Sequence, residues 1–299
     1  MKIKIATRNS ELAIFQANAV AVELNQRGFD TELVPIVSDG DKTDQPLHEI
    51  GGKGLFVSAL ESALLSQEVD IAVHSLKDVP AKLNKEFIIA AVLKREDPSD
   101  VLITKEGWSM DNIPDNSVIA TSSPRRKAQI LDLNSNIQTM PVRGNIKTRI
   151  DKLNGSEFDG LIVAKAALNR LNLSFENAYE FSVNEMLPSA SQGFIGIECL
   201  RSNIKIIDLL NKINVNQEMM LAKAERDFVS MLDGSCLSPI AILCTEDHKK
   251  IKITAKVLSQ DGKKKIYKEI TSNNESLNED IVNLANEFIN EGADTLINE

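Results

Sequence analysis

Long apolar runs are missing from this chain. The longest, "FIIAAVL" at 87–93, falls far short of the roughly 18 residues that a membrane span needs, so no spanning helix is expected. The N-terminus "MKIKIATRNS" has no apolar signal core and alternates Lys with Ile as a strand does, and a cytoplasmic protein is expected. Cysteine is scarce. Three in 299 residues, with no pair at zinc-ligand spacing, argue against a disulfide framework and a structural zinc site. Positive charge is also short: 34 Lys and Arg against 43 Asp and Glu leave a net −9, the wrong balance for a nucleic-acid or anionic-membrane binder. Fixed-period repeats and low-complexity tracts are absent. So are a Walker A loop, a G-x-G-x-x-G turn, and any Ser/His/Asp or Cys/His ordering suited to acyl transfer.

What is present is an ordinary globular composition, 42% hydrophobic and 26% charged, over a length that suits about two or three domains. Residues 2–7 read as a strand. "NSELAIFQANAVAVELNQRG" follows as a helix capped by Asn9 or Ser10 and closed by Gly28. "TELVPIVS" is the next strand, which gives a βαβ start. The loop "DGDKTDQPLHEIGGKG" carries four glycines and a proline, and loops this long are often lids or binding segments. "LFVSALESALLSQ" is helical, with Phe56, Leu60 and Leu64 on one face; "DIAVHS" and "FIIAAVL" are buried strands. From about residue 100 the alternation restarts. "DVLITK", "SVIATS", "IQTMPV" and "DGLIVA" read as strands, and "PRRKAQILDL", "IKTRIDKL" and "KAALNRL" as helices. "SASQGFIGIECL" reads as a further strand. Two α/β units with parallel sheets are expected. Beyond about 215 a helix "QEMMLAKAERDFVSML" ends at Gly234, strands run to a hairpin turned at Asp261-Gly262, and a last helix begins near 276, which makes an α+β end.

Arginine is the rarer base, with ten against 24 Lys, and many lysines sit in solvated stretches such as "DHKKIKI" and "DGKKKIYKE". Only the guanidinium fork binds a carboxylate through two parallel hydrogen bonds, so the arginine positions matter. In "VIATSSPRRKAQI" a strand ends at Ala120, Ser122 or Ser123 can cap a helix, and Pro124 takes its first position. Arg125 and Arg126 follow at once. Basic residues are disfavoured at that helix end, so an anion site is expected there, the alternative being arginines that meet acids. Arg8, Arg143, Arg149 and Arg170 also follow strands. Ligands of open α/β sheets bind beyond the carboxyl ends of strands, so six such arginines imply a ligand with several carboxylates or phosphates. "DIAVHSLKDVP" puts Asp78 at the same kind of end beside Lys77, either as a turn former or as an acid in a cationic pocket. Cys236, in "DGSCLSPIAIL", is a core thiol or a reactive one; its own surroundings leave both readings open.

Together "ATRNSELA", "GGKGLF", "HSLKDVP", "KREDPSD", "TSSPRR", "VRGNIKTR", "QGFIGIE" and "GSCLSP" resemble the porphobilinogen deaminase (hydroxymethylbilane synthase) family in order and spacing, over residues 3 to about 240. The resemblance implies a transferase that joins four porphobilinogen molecules head to tail, losing ammonia each time, to give hydroxymethylbilane for porphyrin and haem biosynthesis. It implies a dipyrromethane cofactor held as a thioether on Cys236, with Cys199 and Cys244 as core cysteines. Asp78 becomes the catalytic carboxylate, and Lys77, Thr121, Ser123, Arg125 and Arg126, with Asp78, bind the cofactor. Arg8, Ser10, Arg143, Arg149, Arg170 and Gln192 bind substrate and the growing chain; the loop 39–54 is a lid, with Lys53 and Phe56 beside the pyrroles. No metal is implied, and the partners are porphobilinogen and its linear oligomers, with no nucleic acid or membrane and a monomeric chain.

The fold it implies is two periplasmic-binding-protein-like α/β domains plus a small α+β C-terminal domain. Residues 1–93 with about 189–212 form the first, 94–188 the second, and 213–299 the third. Pro124 stands where many members have Leu, "SQGF" replaces "GQGA", and Ser235 replaces a frequent Gly. None of these removes a charged or nucleophilic residue. A bilobed binding protein for a small anion would need no cysteine adduct, and a ligand-sensing regulator would want a DNA-binding helix pair that the sequence does not offer.

Overall fold

The computed structural model describes residues 2–37, 57–176 and 178–298. The chain opens with β1 (Lys2–Arg8), α1 (Glu11–Asn25), β2 (Asp30–Ile36), α2 (Ser58–Leu65), β3 (Ile71–Ser75) and β4 (Phe87–Val92). It continues with β5 (Asp100–Thr104), β6 (Val118–Ala120), α3 (Pro124–Leu133), β7 (Gln138–Met140), α4 (Ile146–Asn154), β8 (Gly160–Ala164), α5 (Lys165–Arg170) and β9 (Tyr179–Glu180). Next come β10 (Ile195–Leu200), α6 (Ile204–Leu210) and α7 (Asn216–Met231). Last are β11 (Ile240–Asp247), β12 (Lys250–Leu258), β13 (Lys265–Ser272), α8 (Leu277–Asn290) and α9 (Ala293–Asn298). These fall into two compact units, residues up to 96 with 193–222, and residues 97–192 with 223–299.

The first unit is built on a five-stranded sheet in the order β2-β1-β3-β10-β4. Ile3 and Ile5 face α1, where Ala17, Val20 and Leu24 are fully buried against them. Ser10 starts that helix by accepting the Ala13 N–H at 3.3 Å, so of the two expected caps it is Ser10 that acts. Ala6 and Ala72 face the other way, toward Leu60, Ala63 and Leu64 of α2.

The second unit repeats the plan in the order β7-β6-β8-β5-β9. Here the expectation of parallel sheets needs correction. β10 is antiparallel to both β3 and β4, and β5 is antiparallel to both β8 and β9, whereas β1 runs parallel to β2 and β3, and β6 to β7 and β8. β5 is the first strand after the chain enters the second unit, and β10 the first after it returns to the first. Parallel neighbours come from βαβ crossovers within a sheet; a strand arriving from elsewhere has no such constraint.

The C-terminal segment forms a three-stranded antiparallel sheet, β11-β12-β13, with α9 packed on β12 and α8 on β13; the Phe228 and Phe288 rings of α7 and α8 meet edge to face at 5.2 Å. It is seated within the second unit. Lys265 Nζ reaches Asp132 of α3 at 2.7 Å, the Ile242 N–H donates to the Pro188 carbonyl, and Leu187 joins Ala241 and Leu243 in one apolar cluster. The three sheets are thus those of an α/β protein with a small α+β end. β9, α6 and α9 were not foreseen; each is too short to show a period.

Candidate active site

In the first unit β1 and β3 run parallel, so their carboxyl ends share one sheet edge. Arg8 closes β1, and Ser10 sits two residues beyond. β3 ends at Ser75 and turns through a single 3-10 turn, Leu76–Asp78. Bonds that hold that turn include Leu76 N–H to the Phe194 carbonyl (3.1 Å), Val79 N–H to the Leu76 carbonyl (3.1 Å), and the Gln16 amide of α1 to Ser75 Oγ (2.8 Å). The outcome is an exposed Asp78 beside a half-buried Lys77.

Behind this turn His74 Nε2 lies 2.9 Å from Glu198 Oε2, both side chains buried. Glu61 of α2 belongs to the same group: burial, and then the Glu198 charge, push its carboxyl above the usual range. Phe194, the bulky residue of "SQGF", is buried under the Arg95 guanidinium at 4.4 Å. The preceding Gly193 has φ +92° and lies so close to the Glu96 carbonyl that a Cβ would stand 2.2 Å from its oxygen, which only glycine allows.

In the second unit β6, β7 and β8 place their carboxyl ends on one edge. Ser123 caps α3, accepting the Arg126 N–H at 3.4 Å, and Pro124 is the first helical residue. Ser122 instead bridges to the next loop: its Oγ donates to the Val142 carbonyl (2.7 Å) and accepts the Val142 N–H (2.9 Å). That loop leads to Arg143, which is half-buried, and to α4, capped by Asn145. Arg149 donates from Nε to the Gly144 carbonyl at 2.8 Å, and Arg170 is the half-buried last residue of α5. Thr121 is buried, its Oγ1 accepting the Ser123 N–H at 3.2 Å.

Arg125 and Arg126 do meet an acid, and it is a buried one. Asp100, the fully buried first residue of β5, takes Arg125 Nη2 on Oδ2 at 2.8 Å. On Oδ1 it takes Arg126 Nη2 at 2.7 Å, Arg126 Nε at 3.1 Å and Gln192 Nε2 at 2.9 Å. Each arginine also donates to a carbonyl, Arg125 to Leu187 (2.8 Å) and Arg126 to Ile162 (3.0 Å). Burial lowers the Arg125 pKa most strongly, Asp100 opposes that, and Arg126 adds to it. Arg125 Nε is buried with no hydrogen-bond partner among the described residues, a donor that a carboxylate-bearing ligand would satisfy. Of the alternatives posed for this helix start, the arginines paired with an acid are what the structure shows.

Cys236 occupies the turn between α7 and β11. Gly234 N–H returns to the Val229 carbonyl (2.9 Å), and Ser235 and Ser238 brace the turn. Ser235 N–H donates to Ser238 Oγ (3.0 Å), Leu237 N–H to Ser235 Oγ (3.2 Å), and Ser238 N–H to the Ser235 carbonyl (3.0 Å). Ser235, unusual against the family pattern, thus stiffens the turn. Of the three cysteines Cys236 is exposed, whereas Cys199 and Cys244 are buried. Burial, with Glu198 adding, pushes the Cys199 thiol up to about 12. Glu225 of α7 accepts the N–H of Ser191 (2.6 Å) and of Cys244 on β11 (2.8 Å), tying together the elements that flank the turn.

Lys53, Phe56 and the expected lid 39–54 lie outside the described residues. The residue missed in the sequence is Asp100. The signal was an aspartate heading "DVLIT", a strand buried at every position, since an Asp is almost never fully buried unless paired.

Residues 3–208 match the family model described as porphobilinogen deaminase, dipyromethane cofactor binding domain, and residues 219–290 match porphobilinogen deaminase, C-terminal domain. The chain is 40% identical over 292 residues to the porphobilinogen deaminase of Caldicellulosiruptor saccharolyticus, covering 97% of this chain and 98% of that one. It is 38% identical over 303 residues to that of Campylobacter curvus, covering 99% and 97%. Among solved structures, that of the methionine binding protein MetQ is similar at a TM-score of 0.45 and 12% identity, over 76% of this chain and 93% of that one.

Proposed function

The chain belongs to the porphobilinogen deaminase family, and from that premise we propose how its side chains divide the work. The enzyme is a transferase that condenses porphobilinogen head to tail with loss of ammonia, giving hydroxymethylbilane. Its dipyrromethane cofactor supplies, when bound, the pyrrole end from which the chain is extended.

The observation that carries the site reading is the exposure of Cys236 at a braced turn while the other two cysteines are buried. A thiol must be reachable to become a thioether, and its turn must be stiff to hold what is attached. Cys236 is therefore the attachment residue. In the second unit Arg125, Arg126, Thr121 and Ser123 bind the cofactor's acids through guanidinium groups, hydroxyls and the start of α3. Lys77 is assigned the same task. The unpartnered Arg125 Nε supports this reading.

Asp78, exposed next to Lys77, gives a proton to the departing amine and supplies negative charge where positive charge develops. Arg8, Ser10, Arg143, Arg149 and Arg170 receive the carboxylates of incoming substrate. Gln192, whose amide is engaged with Asp100 and the Pro98 carbonyl, serves from behind by holding the arginine network. Lys53 and Phe56 stay assigned to the lid.

We place the enzyme in the cytoplasm as a monomer, three cysteines outside any disulfide being suited to a reducing compartment. Its partners are porphobilinogen and its oligomers. The cysteine-bearing domain is taken to run from about 213, beside the family match at 219–290.

Peptide mapping of the purified enzyme tests the assignment. Two pyrrole units are expected on Cys236, and Cys236→Ser is expected to fold yet be inactive. An adduct on Cys199 or Cys244, or active enzyme with none, would overturn it.

A further inference from the structure

We propose that Asp100 is the positioning residue of the Arg125–Arg126 pair, setting both the aim and the net charge of the anion site at the start of α3. The inference rests on the cofactor reading above. Its geometry is independent of it.

One carboxylate serves two guanidinium groups, but not equally. Arg126 commits Nε and Nη2 to Asp100 Oδ1 and Nη1 to the Ile162 carbonyl, so each of its three nitrogens is oriented by a bond inside the protein and two of its five N–H groups remain for a ligand. Arg125 gives Asp100 only Nη2 and gives Nη1 to Leu187, which leaves its buried Nε without a partner. Asp100 thereby fixes the orientation of Arg126 at two nitrogens and of Arg125 at one, leaving Arg125 Nε as a donor for the same ligand. It also reduces two buried positive charges to a net single one, matched to one carboxylate. Were Asp100 only a fold-stabilising ion, the arginine donors would be expected to be saturated by internal acceptors, as buried polar groups normally are. Gln192, the fourth donor on this carboxylate, restrains it from the side: its amide also reaches the Pro98 and Ser99 carbonyls at the base of β5.

Replacing Asp100 by Asn keeps the shape and removes the charge. Its amide nitrogen would then confront a guanidinium N–H on one side, and that arginine must swing away. The test uses purified wild type, Asp100→Asn and Asp100→Glu, each prepared as apo-protein and incubated with porphobilinogen. Intact mass gives the loaded fraction, circular dichroism and thermal melts report folding, and loading is repeated with added sulfate.

Folded Asp100→Asn is expected to load about tenfold less than wild type, the worth of one charge-assisted contact. Its loading is expected to be suppressed by sulfate, which competes for two uncompensated guanidinium groups, whereas wild type resists. A purely structural Asp100 would shift the melt without creating sulfate sensitivity. Folded Asp100→Asn that loads fully and ignores sulfate overturns the proposal. If Asp100→Asn does not fold, Asp100→Glu decides: folded and poorly loaded supports positioning, folded and fully loaded overturns it. Wild type that acquires no adduct would instead sink the cofactor reading itself.

Discussion

The role proposed for Asp78 depends on the turn that holds it. The Leu76 and Val79 N–H groups and the Gln16–Ser75 pair hold the 3-10 turn, and the carboxylate is left exposed beside Lys77. Asp78→Asn keeps that shape and loses charge and proton exchange. Turnover is therefore expected to fall by about 10²–10⁴-fold, the range of general acid–base catalysis, with cofactor content near wild type. Asp78→Glu should retain more activity than Asn because the charge survives. Single-turnover rates on variants checked by mass measure this; an Asn variant within a few-fold of wild type would return Asp78 to the status of a turn former.

Among the elements, α3 bears the most. Its first turn carries the arginine pair, and its last turn receives the C-terminal sheet through Asp132 and Lys265. The β12–β13 hairpin presses onto it at Gly262, where φ is +74° and a Cβ would lie 2.4 Å from the Ala128 carbonyl oxygen and 2.8 Å from the Asp132 nitrogen. Backbone cannot yield as a flexible side chain does. The hairpin is braced as well: the Ser259 hydroxyl donates to Asp261 Oδ1 at 2.7 Å and the Lys263 N–H to the same oxygen at 3.1 Å. Gly262→Ala is thus expected to cost about 1–3 kcal/mol, from a strained φ and a forced shift of helix or hairpin together. A urea melt would show it, and an unchanged midpoint would mean that the hairpin does not bear on α3.

On the scale of the whole molecule, the chain visits the first unit twice. β10 pairs with both β3 and β4, and the returning segment adds Ile195, Ile197, Ile206, Leu209, Leu210 and Ile213 to the core under α1. Each such side chain is worth about 1.5–3 kcal/mol when buried, and together they are on the scale of a domain's net stability of about 5–15 kcal/mol. A fragment of residues 1–96 should therefore stay unfolded by circular dichroism, and a peptide of residues 193–222 added in trans should restore structure. A fragment that folds alone would show that β10 is an accessory strand.

Much of this was readable before any coordinates. Caps, strand ends and turns are local chemistry: Ser123, Pro124 and the arginines behind them, Asp78 after its strand, Gly262 in its hairpin. Helices α1, α3 and α7 were long enough to show their limits. The roles proposed for Cys236 and the arginines came through the family resemblance, since a lone thiol and scattered bases are ambiguous by themselves. What the tertiary structure decided was long-range. Asp100 finds Arg125 across 25 positions, and His74 finds Glu198 across 124; the antiparallel sense of β5 and β10 has no local mark either. Local hydrogen bonding and hydrophobic period are written residue by residue, whereas which buried charge meets which is settled only when strands from distant segments share one sheet and exclude water together.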